Sequence, residues 1–169
     1  MIPKNEYAPY YAMYINPIEK NGKSIIENLK DSQTQFDELF RQLSIDKQDF
    51  AYAEGKWTTK ELIQHIIDTE RVFCYRALCF ARNDKTPLPG FDQDLFVSND
   101  NANDRNFIDL LDEMQTLRNS TIQLYKSFTE EALQRIGNAS GNDMSVRALG
   151  YLFSGHQLHH LKVYKERYL

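Results

Sequence analysis

Residues 58–83 read TTKELIQHIIDTERVFCYRALCFARN, and this stretch predicts the fold most directly. Thr58 is followed three residues later by Glu61, the spacing of a capping box that satisfies backbone N–H groups of a first helical turn. Inward-facing side chains then recur every three or four residues, the period of one helix face. The pattern predicts an amphipathic helix from Thr58 to about Asn83, whose buried stripe is Leu62, Ile66, Thr69, Phe73, Ala77 and Phe80.

Three further segments show the same helical period. The first helix is expected from Ser24 to Leu43, the third from Phe107 to Phe128, and the fourth from a cap at Ser145 to the C-terminus. We find no convincing strand pattern. Four helices of about 20 residues each predict an all-α fold, a four-helix bundle with long connecting loops. Those loops allow a crossover order of helices as well as a plain up-and-down order.

The segments outside these helices contain turn-forming residues. Residues 1–20 include three prolines, and we expect them to form an irregular arm along the bundle. A long connection runs from about Asp84 to Asp104, and its prolines and glycine interrupt any helix. Because no internal repeat divides the sequence, residues 1–169 are expected to form one domain.

Charge and hydropathy argue against several classes of protein. The 169 residues have a formal net charge of −4, with acids and bases interspersed, whereas a nucleic-acid-binding protein usually has a basic face. No apolar run approaches the roughly 20 residues that span a bilayer. The N-terminus also lacks the pattern of a secretory signal. We therefore expect a cytoplasmic protein with neither a nucleic-acid nor a membrane partner.

The two cysteines, Cys74 and Cys79, lie on the predicted second helix. Their side chains point in well-separated directions, so they should not form a disulfide with each other. The sequence places no base beside either thiol. Packing, rather than nucleophilic catalysis, is therefore their expected role.

The four histidines are concentrated in two places. His65 lies on the second helix, and the others lie in GHQLHHLK on the fourth helix. Side chains four residues apart share a helix face, so His156 and His160 can bind one cation together. A facing helix can supply His65 as a third ligand. Three protein ligands leave one coordination position for water or substrate, the pattern of catalytic metal sites.

Simpler interpretations of the histidines stay open. His65 alone could be a hydrogen-bonded core residue, and the cluster on the fourth helix alone could be a solvated patch beside two lysines. The partner of His156 is open as well. One apolar stripe of the fourth helix favours His160 and another favours His159, and periodicity does not settle the choice.

Other polar residues are candidates for the same site. Asp68, one turn after His65, could act as a general base or orient a ligand, although an ordinary solvated carboxylate would also explain it. Arg76, Arg147 and Tyr151 are candidate anion or substrate contacts. For Arg76 the alternative is a structural ion pair, because an unpaired arginine near the inward stripe would be costly.

Three segments together resemble the DinB-like superfamily: GKWTTKELIQHIIDTERVFCYR at 55–76, PLPGFDQDLFV at 87–97 and SVRALGYLFSGHQLHHLKVYKERY at 145–168. The resemblance implies a four-helix bundle with unusual connections, often a homodimer. It also implies a divalent metal held by one histidine of the second helix and an HxxxH pair of the fourth. In this sequence those ligands would be His65, His156 and His160.

The resemblance further implies chemistry on a small-molecule substrate. Similar proteins include presumed metal-dependent hydrolases, thiol S-transferases that use bacillithiol, mycothiol or glutathione, and a mycothiol-dependent isomerase. Zn or Ni is the expected metal, with Fe or Mn as alternatives, and a low-molecular-weight thiol is a candidate cofactor. The competing hypothesis is a non-catalytic dimeric bundle that binds a metal or small ligand. A fourth protein ligand closing the metal site would favour it.

Overall fold

A computed structural model describes residues 2–169, which contain eight α-helices and one short β-hairpin. In chain order the elements are α1 (Ala12–Glu19), α2 (Ile25–Phe40), α3 (Ile45–Gln48), α4 (Thr59–Ala81), α5 (Gln93–Asn99), α6 (Phe107–Lys126), α7 (Glu130–Gln134), β1 (Ile136–Ala139), β2 (Asn142–Ser145) and α8 (Val146–Arg167). None of the helices among these residues is both long and apolar enough to cross a membrane.

The four long helices α2, α4, α6 and α8 form the predicted bundle. Helix α2 packs against α6 and α8, and α4 packs against the same two helices. Consecutive long helices, α2 then α4 and α6 then α8, therefore lie diagonally across the bundle. This is the crossover order that the sequence left open beside a plain up-and-down order. The predicted long connection from about Asp84 to Asp104 joins the neighbouring helices α4 and α6.

Side-chain caps define where the long helices begin. Thr58 and Glu61 form the predicted capping box, with 2.7 Å from Thr58 N to Glu61 Oε2 and 3.1 Å from Glu61 N to Thr58 Oγ1. Ser24 and Glu27 form a second capping box at α2, and Ser145 caps α8 as predicted. Each cap satisfies N–H groups that have no partner within the helix. The two helices that carry the histidines thus begin at the expected residues.

The expectation that the chain has no strands was wrong. Strands β1 and β2 pair in antiparallel fashion through a turn in which Ser140 (φ 54°) and Gly141 (φ 74°) adopt left-handed backbone conformations. Leu88, in the long connection after α4, adds a parallel bridge to Ala139. Four-residue strands are too short to show a clear alternation of apolar and polar residues, which explains why the sequence pattern missed them.

The irregular arm predicted for residues 1–20 was also wrong over Ala12–Glu19, which form α1; Met1 lies outside the described residues. Pro17 lies inside this helix and removes one backbone donor. The helix nevertheless packs along α8, burying Ile15 and Ile18. Tertiary burial therefore overrides the local effect of the proline.

A buried polar layer separates two apolar clusters near the middle of the bundle. Arg118 of α6 is fully buried and donates to Glu70 of α4, with 2.6 Å between Nη2 and Oε2. It also donates to α2, at the carbonyl of Leu29 (2.8 Å) and the hydroxyl of Ser32 (2.6 Å). Thr121 donates to the same Glu70 carboxylate at 2.7 Å. This network joins three of the four long helices.

The cysteines behave as predicted and remain free thiols. The Cys74 sulfur lies 3.2 Å from the hydroxyl of Thr121, within the polar layer. Burial raises the pKa of the Cys74 thiol to about 11, so it is protonated at neutral pH. A protonated, half-buried thiol fits a packing role.

Arg118→Ala should lower the free energy of unfolding by about 3–5 kcal/mol, because it leaves the Glu70 carboxylate buried without its partner. The matched control is Arg41→Ala, which removes an exposed arginine paired with Asp37 and Asp112 and should cost less than about 1 kcal/mol. Urea denaturation followed by circular dichroism measures both values. Similar small losses in the two variants would contradict a structural role for the buried pair.

Gly155→Ala should separate α1 from α8, because a Cβ at this position would lie 2.1 Å from the backbone oxygen of Tyr14. We expect a loss of about 1–3 kcal/mol in unfolding free energy, the usual cost of overpacking. Ser154→Ala is the neighbouring control. The Ser154 hydroxyl is buried and has no hydrogen-bond partner among residues 2–169, so its removal should be nearly neutral. Equal stability of both variants would mean that α1 does not pack as described.

Candidate metal centre

Three histidines meet where α4 faces α8. His65 Nε2 lies 3.2 Å from His156 Nε2, and His160 Nε2 lies 3.0 Å from the same atom. One ring nitrogen of each residue lies within 4.8 Å of the other two. The structure thus brings together the three residues predicted as ligands. His159 lies beside them, outside this cluster.

The arrangement fits a small divalent cation. Nitrogen ligands at about 2.0–2.1 Å from a tetrahedral zinc ion lie about 3.3 Å from one another, close to the 3.0 and 3.2 Å that separate His156 Nε2 from the Nε2 atoms of His160 and His65. Imidazole is a good ligand for Zn, Ni, Fe and Cu alike. Within the described residues, no aspartate, glutamate or cysteine joins the three histidines, so a cation held by them would keep an open position.

Burial keeps the three imidazoles neutral. It lowers the pKa of His65 to about 4 and lowers the pKa of His156 and His160 well below the usual value for histidine. The neighbouring histidines push the pKa of His156 and His160 further in the same direction. Neutral imidazole is the form that binds a metal, so the rings are already in that form at neutral pH.

Aromatic rings surround the histidines and restrict their orientation. The ring centroid of Trp57 lies 4.8 Å from that of His65, and that of Phe73 lies 5.9 Å from that of His156. Tyr14 of α1 lies 6.1 Å from His156 and, edge to face, 5.2 Å from His159. Tyr14 was not among the residues predicted from the sequence. The signal that could have indicated it is the glycine immediately before His156, which lets another backbone approach α8.

A cavity of about 330 Å³ opens at the histidine cluster. Its wall includes aromatic residues together with a few buried polar groups, and no aspartate or glutamate of the described chain lines it. The lining residues include Tyr14, Thr69, Phe73, Arg76 and Ser140. A larger cavity of about 460 Å³ lies elsewhere, beside Arg147 and Tyr151, and contains none of the histidines. A further cavity of about 570 Å³ borders His159 and His160 and is lined by Asp94. We place the site at the 330 Å³ cavity because all three histidines of the cluster line it.

Of the other residues proposed from the sequence, three do not line the histidine cavity: Asp68, Arg147 and Tyr151. Asp68 accepts a hydrogen bond from Gln64 (2.8 Å), lies 3.5 Å from Arg71 and does not line the cavity. Arg147 pairs with Glu6, with 2.7 Å between Nε and Oε2. Of the candidate anion contacts, only Arg76 reaches the cavity that contains the histidines.

Comparison with known structures shows the same fold in proteins of low sequence identity. YfiT from Bacillus subtilis, described as a probable metal-dependent hydrolase with an unusual four-helix bundle topology, is 16% identical with a TM-score of 0.73; the match covers 84% of this chain and 82% of YfiT. YjoA from Bacillus subtilis, described as DinB-like, is 20% identical with a TM-score of 0.59, covering 85% and 89% of the two chains.

A mycothiol-dependent maleylpyruvate isomerase is 12% identical with a TM-score of 0.66. That match covers 86% of this chain and 60% of the isomerase, so the chain corresponds to only part of that enzyme.

None of the curated proteins matches the sequence. The sequence pattern of the DinB superfamily matches residues 28–163, which include all four long helices of the bundle apart from the ends of α2 and α8. The chain belongs to the DinB superfamily.

Proposed function

We propose that this protein is a metal-dependent enzyme that transfers a low-molecular-weight thiol to a small molecule. His65, His156 and His160 would hold the divalent metal. The observation that carries the proposal is the convergence of three neutral imidazoles at the wall of a cavity, with no fourth side-chain ligand among the described residues. An open position facing a cavity is typical of catalytic rather than structural metal sites.

The lining of the cavity favours thiol transfer over hydrolysis. Hydrolysis benefits from a general base within hydrogen-bond reach of the attacking water. No carboxylate of residues 2–169 lines this cavity, and Asp68, the base suggested by the sequence, is engaged with Gln64 and Arg71 instead. Asp94 lines the neighbouring cavity that also borders His160, outside the cavity that all three histidines share. An ordinary thiol has a pKa of about 8.5, so it loses its proton near neutral pH with much less assistance than water.

The chain would prepare the site in three ways. The neutral imidazoles would hold the metal without cancelling its charge, and the metal would supply a lowered pKa for a thiol or water. The rings of Trp57 and Phe73 pack against the ligands and limit access of bulk water. The pKa of Tyr14 is raised by burial and by Tyr10, so its hydroxyl stays protonated and can donate a hydrogen bond into the cavity.

The structural relatives support the coarser part of the proposal, metal-dependent or thiol-dependent chemistry. One is described as a probable metal-dependent hydrolase and another as a mycothiol-dependent isomerase. We propose Zn or Ni as the metal, and Fe or Mn remain alternatives because imidazole ligands alone do not discriminate strongly among them. The competing hypothesis, a non-catalytic bundle that binds a metal or small ligand, predicts a bound cation without turnover.

Four expectations from the sequence stay predictions. They are the homodimer, the cytoplasmic location, the single domain spanning 1–169 and the absence of a nucleic-acid partner. The homodimer follows from the family resemblance alone, and sedimentation of the purified protein would test it.

His160→Ala should remove most of the metal affinity, whereas His159→Ala should retain it, because only His160 belongs to the cluster. Elemental mass spectrometry after dialysis against Zn or Ni should give about one equivalent in wild type and in His159→Ala, and little in His160→Ala. Circular dichroism should show that both variants stay folded. Metal loss in His159→Ala with retention in His160→Ala would refute the ligand assignment.

Activity is measured on the same samples. Consumption of glutathione or cysteine by the electrophile monobromobimane, and hydrolysis of nitrophenyl esters, should be compared with and without metal. We expect metal-dependent thiol consumption in wild type and in His159→Ala, and only the background rate in His160→Ala. One equivalent of bound metal with no rate above background in either assay would favour the non-catalytic bundle.

A further inference from the structure

Arg76 is a buried charge in the same cavity as the histidines. Its side chain is only 5% exposed, and its Nη2 donates to the carbonyl of Pro89 (3.0 Å) and the hydroxyl of Ser140 (3.1 Å). Both acceptors are neutral. No carboxylate of residues 2–169 pairs with the guanidinium, so the structural ion pair considered from the sequence is not formed. A buried cation without a counter-charge is unfavourable unless something else supplies that charge.

Two loop elements hold Arg76 in place. Leu88 N donates to Asn138 O (2.9 Å) and Ser140 N donates to Leu88 O (3.0 Å), which fastens the connection after α4 to the hairpin. Ser140 has a left-handed backbone (φ 54°), uncommon for a residue other than glycine, and in this conformation its hydroxyl reaches Arg76. The chain therefore orients the guanidinium from two sides, and the Phe91 ring lies against it, with 5.8 Å from the guanidinium carbon to the ring centroid. No carboxylate of the described residues neutralises its charge.

Thr69 provides a second polar group between Arg76 and the histidines. It lies one turn after His65 on α4 and lines the same cavity. Its side chain is 2% exposed, and its hydroxyl has no hydrogen-bond partner among the described residues. Buried hydroxyls normally have a partner, so this one is available to a ligand in the cavity.

The charges around the cavity indicate an anionic ligand. Arg76 contributes one positive charge, a divalent metal on neutral histidines would contribute two more, and no acidic residue of the described chain lines the wall. A single arginine matches the single charge of a carboxylate, which its planar group binds through two parallel hydrogen bonds. A phosphate would keep unneutralised charge at the Arg76 end of the cavity, where this guanidinium is the one cationic side chain among the described lining residues.

Helix α4 sets the distance between the histidine cluster and Arg76, the two ends of the candidate site. The Cα atoms of His65 and Arg76 are eleven positions apart on α4, which corresponds to about 16 Å along the helix axis. Eleven positions correspond to about three helical turns, so both side chains lie on the same face of α4, and both line the same cavity. One small molecule can therefore contact both groups.

We propose that Arg76 and Thr69 form a carboxylate subsite, and that the small molecule converted at the metal carries a carboxylate group there. The second half of this inference rests on the proposed function. The subsite itself consists of residues that do not bind the metal, so it can be tested without metal.

The test measures binding of 3-phenylpropionate and its neutral analogue 3-phenylpropionamide to the full-length protein by isothermal titration calorimetry, with and without Zn. In metal-free wild type the acid should bind about tenfold or more tightly than the amide, the difference expected for a charge-assisted hydrogen bond. Equal affinities would overturn the proposal without any variant being needed. Tighter binding of 3-phenylpropyl phosphate than of the acid would overturn the assignment to carboxylate.

Variants then locate the subsite. Arg76→Met should abolish the preference for the acid, Arg76→Lys should restore part of it, and Thr69→Val should weaken acid binding several-fold. The control Arg71→Met removes an exposed arginine on the other side of α4 and should bind the acid like wild type. If Arg76→Met kept the wild-type preference for the acid, the proposal would be overturned. Binding of the acid only in the presence of Zn would overturn it as well.

Metal content separates the two hypotheses. Arg76→Met should retain the same Zn stoichiometry as wild type, since Arg76 is not part of the histidine cluster. If wild type failed to bind Zn but still preferred the acid, the proposed function would fail and the carboxylate subsite would stand. If wild type bound Zn but showed no preference for the acid, the carboxylate subsite would fail and the proposed function would stand.

Discussion

The buried pair between Arg118 and Glu70 is the constraint on which the rest of the structure depends. A charged pair removed from water must have every hydrogen bond satisfied, and the guanidinium meets this demand by bonding to α2 and α4 at once. These hydrogen bonds fix the positions of α2, α4 and α6 along the bundle axis relative to one another. Helix α8 then packs between α2 and α4, which brings His156 next to His65. The histidine cluster thus lies beside the polar layer, between two apolar clusters.

Much of the fold could be predicted because its long helices have local signals. The capping box at Thr58 and the cap at Ser145 mark two helix starts, and the apolar period marks their buried faces. Helix α1 and the hairpin could not be predicted in this way. Pro17 suggests an irregular segment, and only packing against α8 makes it helical. The hairpin depends on a left-handed turn and on a bridge to Leu88, which is distant in sequence.

The candidate site was predictable to a similar extent. The spacing of His156 and His160 places both on one helix face, but periodicity could not choose between His159 and His160, because that choice depends on which face of α8 meets α4. The role of Arg76 was equally undecidable from the sequence. Whether an inward arginine meets an acid or a cavity is decided by the loops that cover it, here those containing Pro89 and Ser140. Asp68 shows that closeness in sequence is not sufficient: it follows His65 by one helical turn, yet its side chain does not line the cavity.

The central claim is that three histidines hold a metal whose remaining position is open. X-ray absorption spectroscopy of the zinc-loaded protein measures this most directly. We predict three imidazole nitrogens at about 2.0–2.1 Å and one light-atom ligand that is replaced by sulfur, at about 2.3 Å, when a small thiol is added. A fourth protein ligand, or a spectrum that small thiols leave unchanged, would contradict the account.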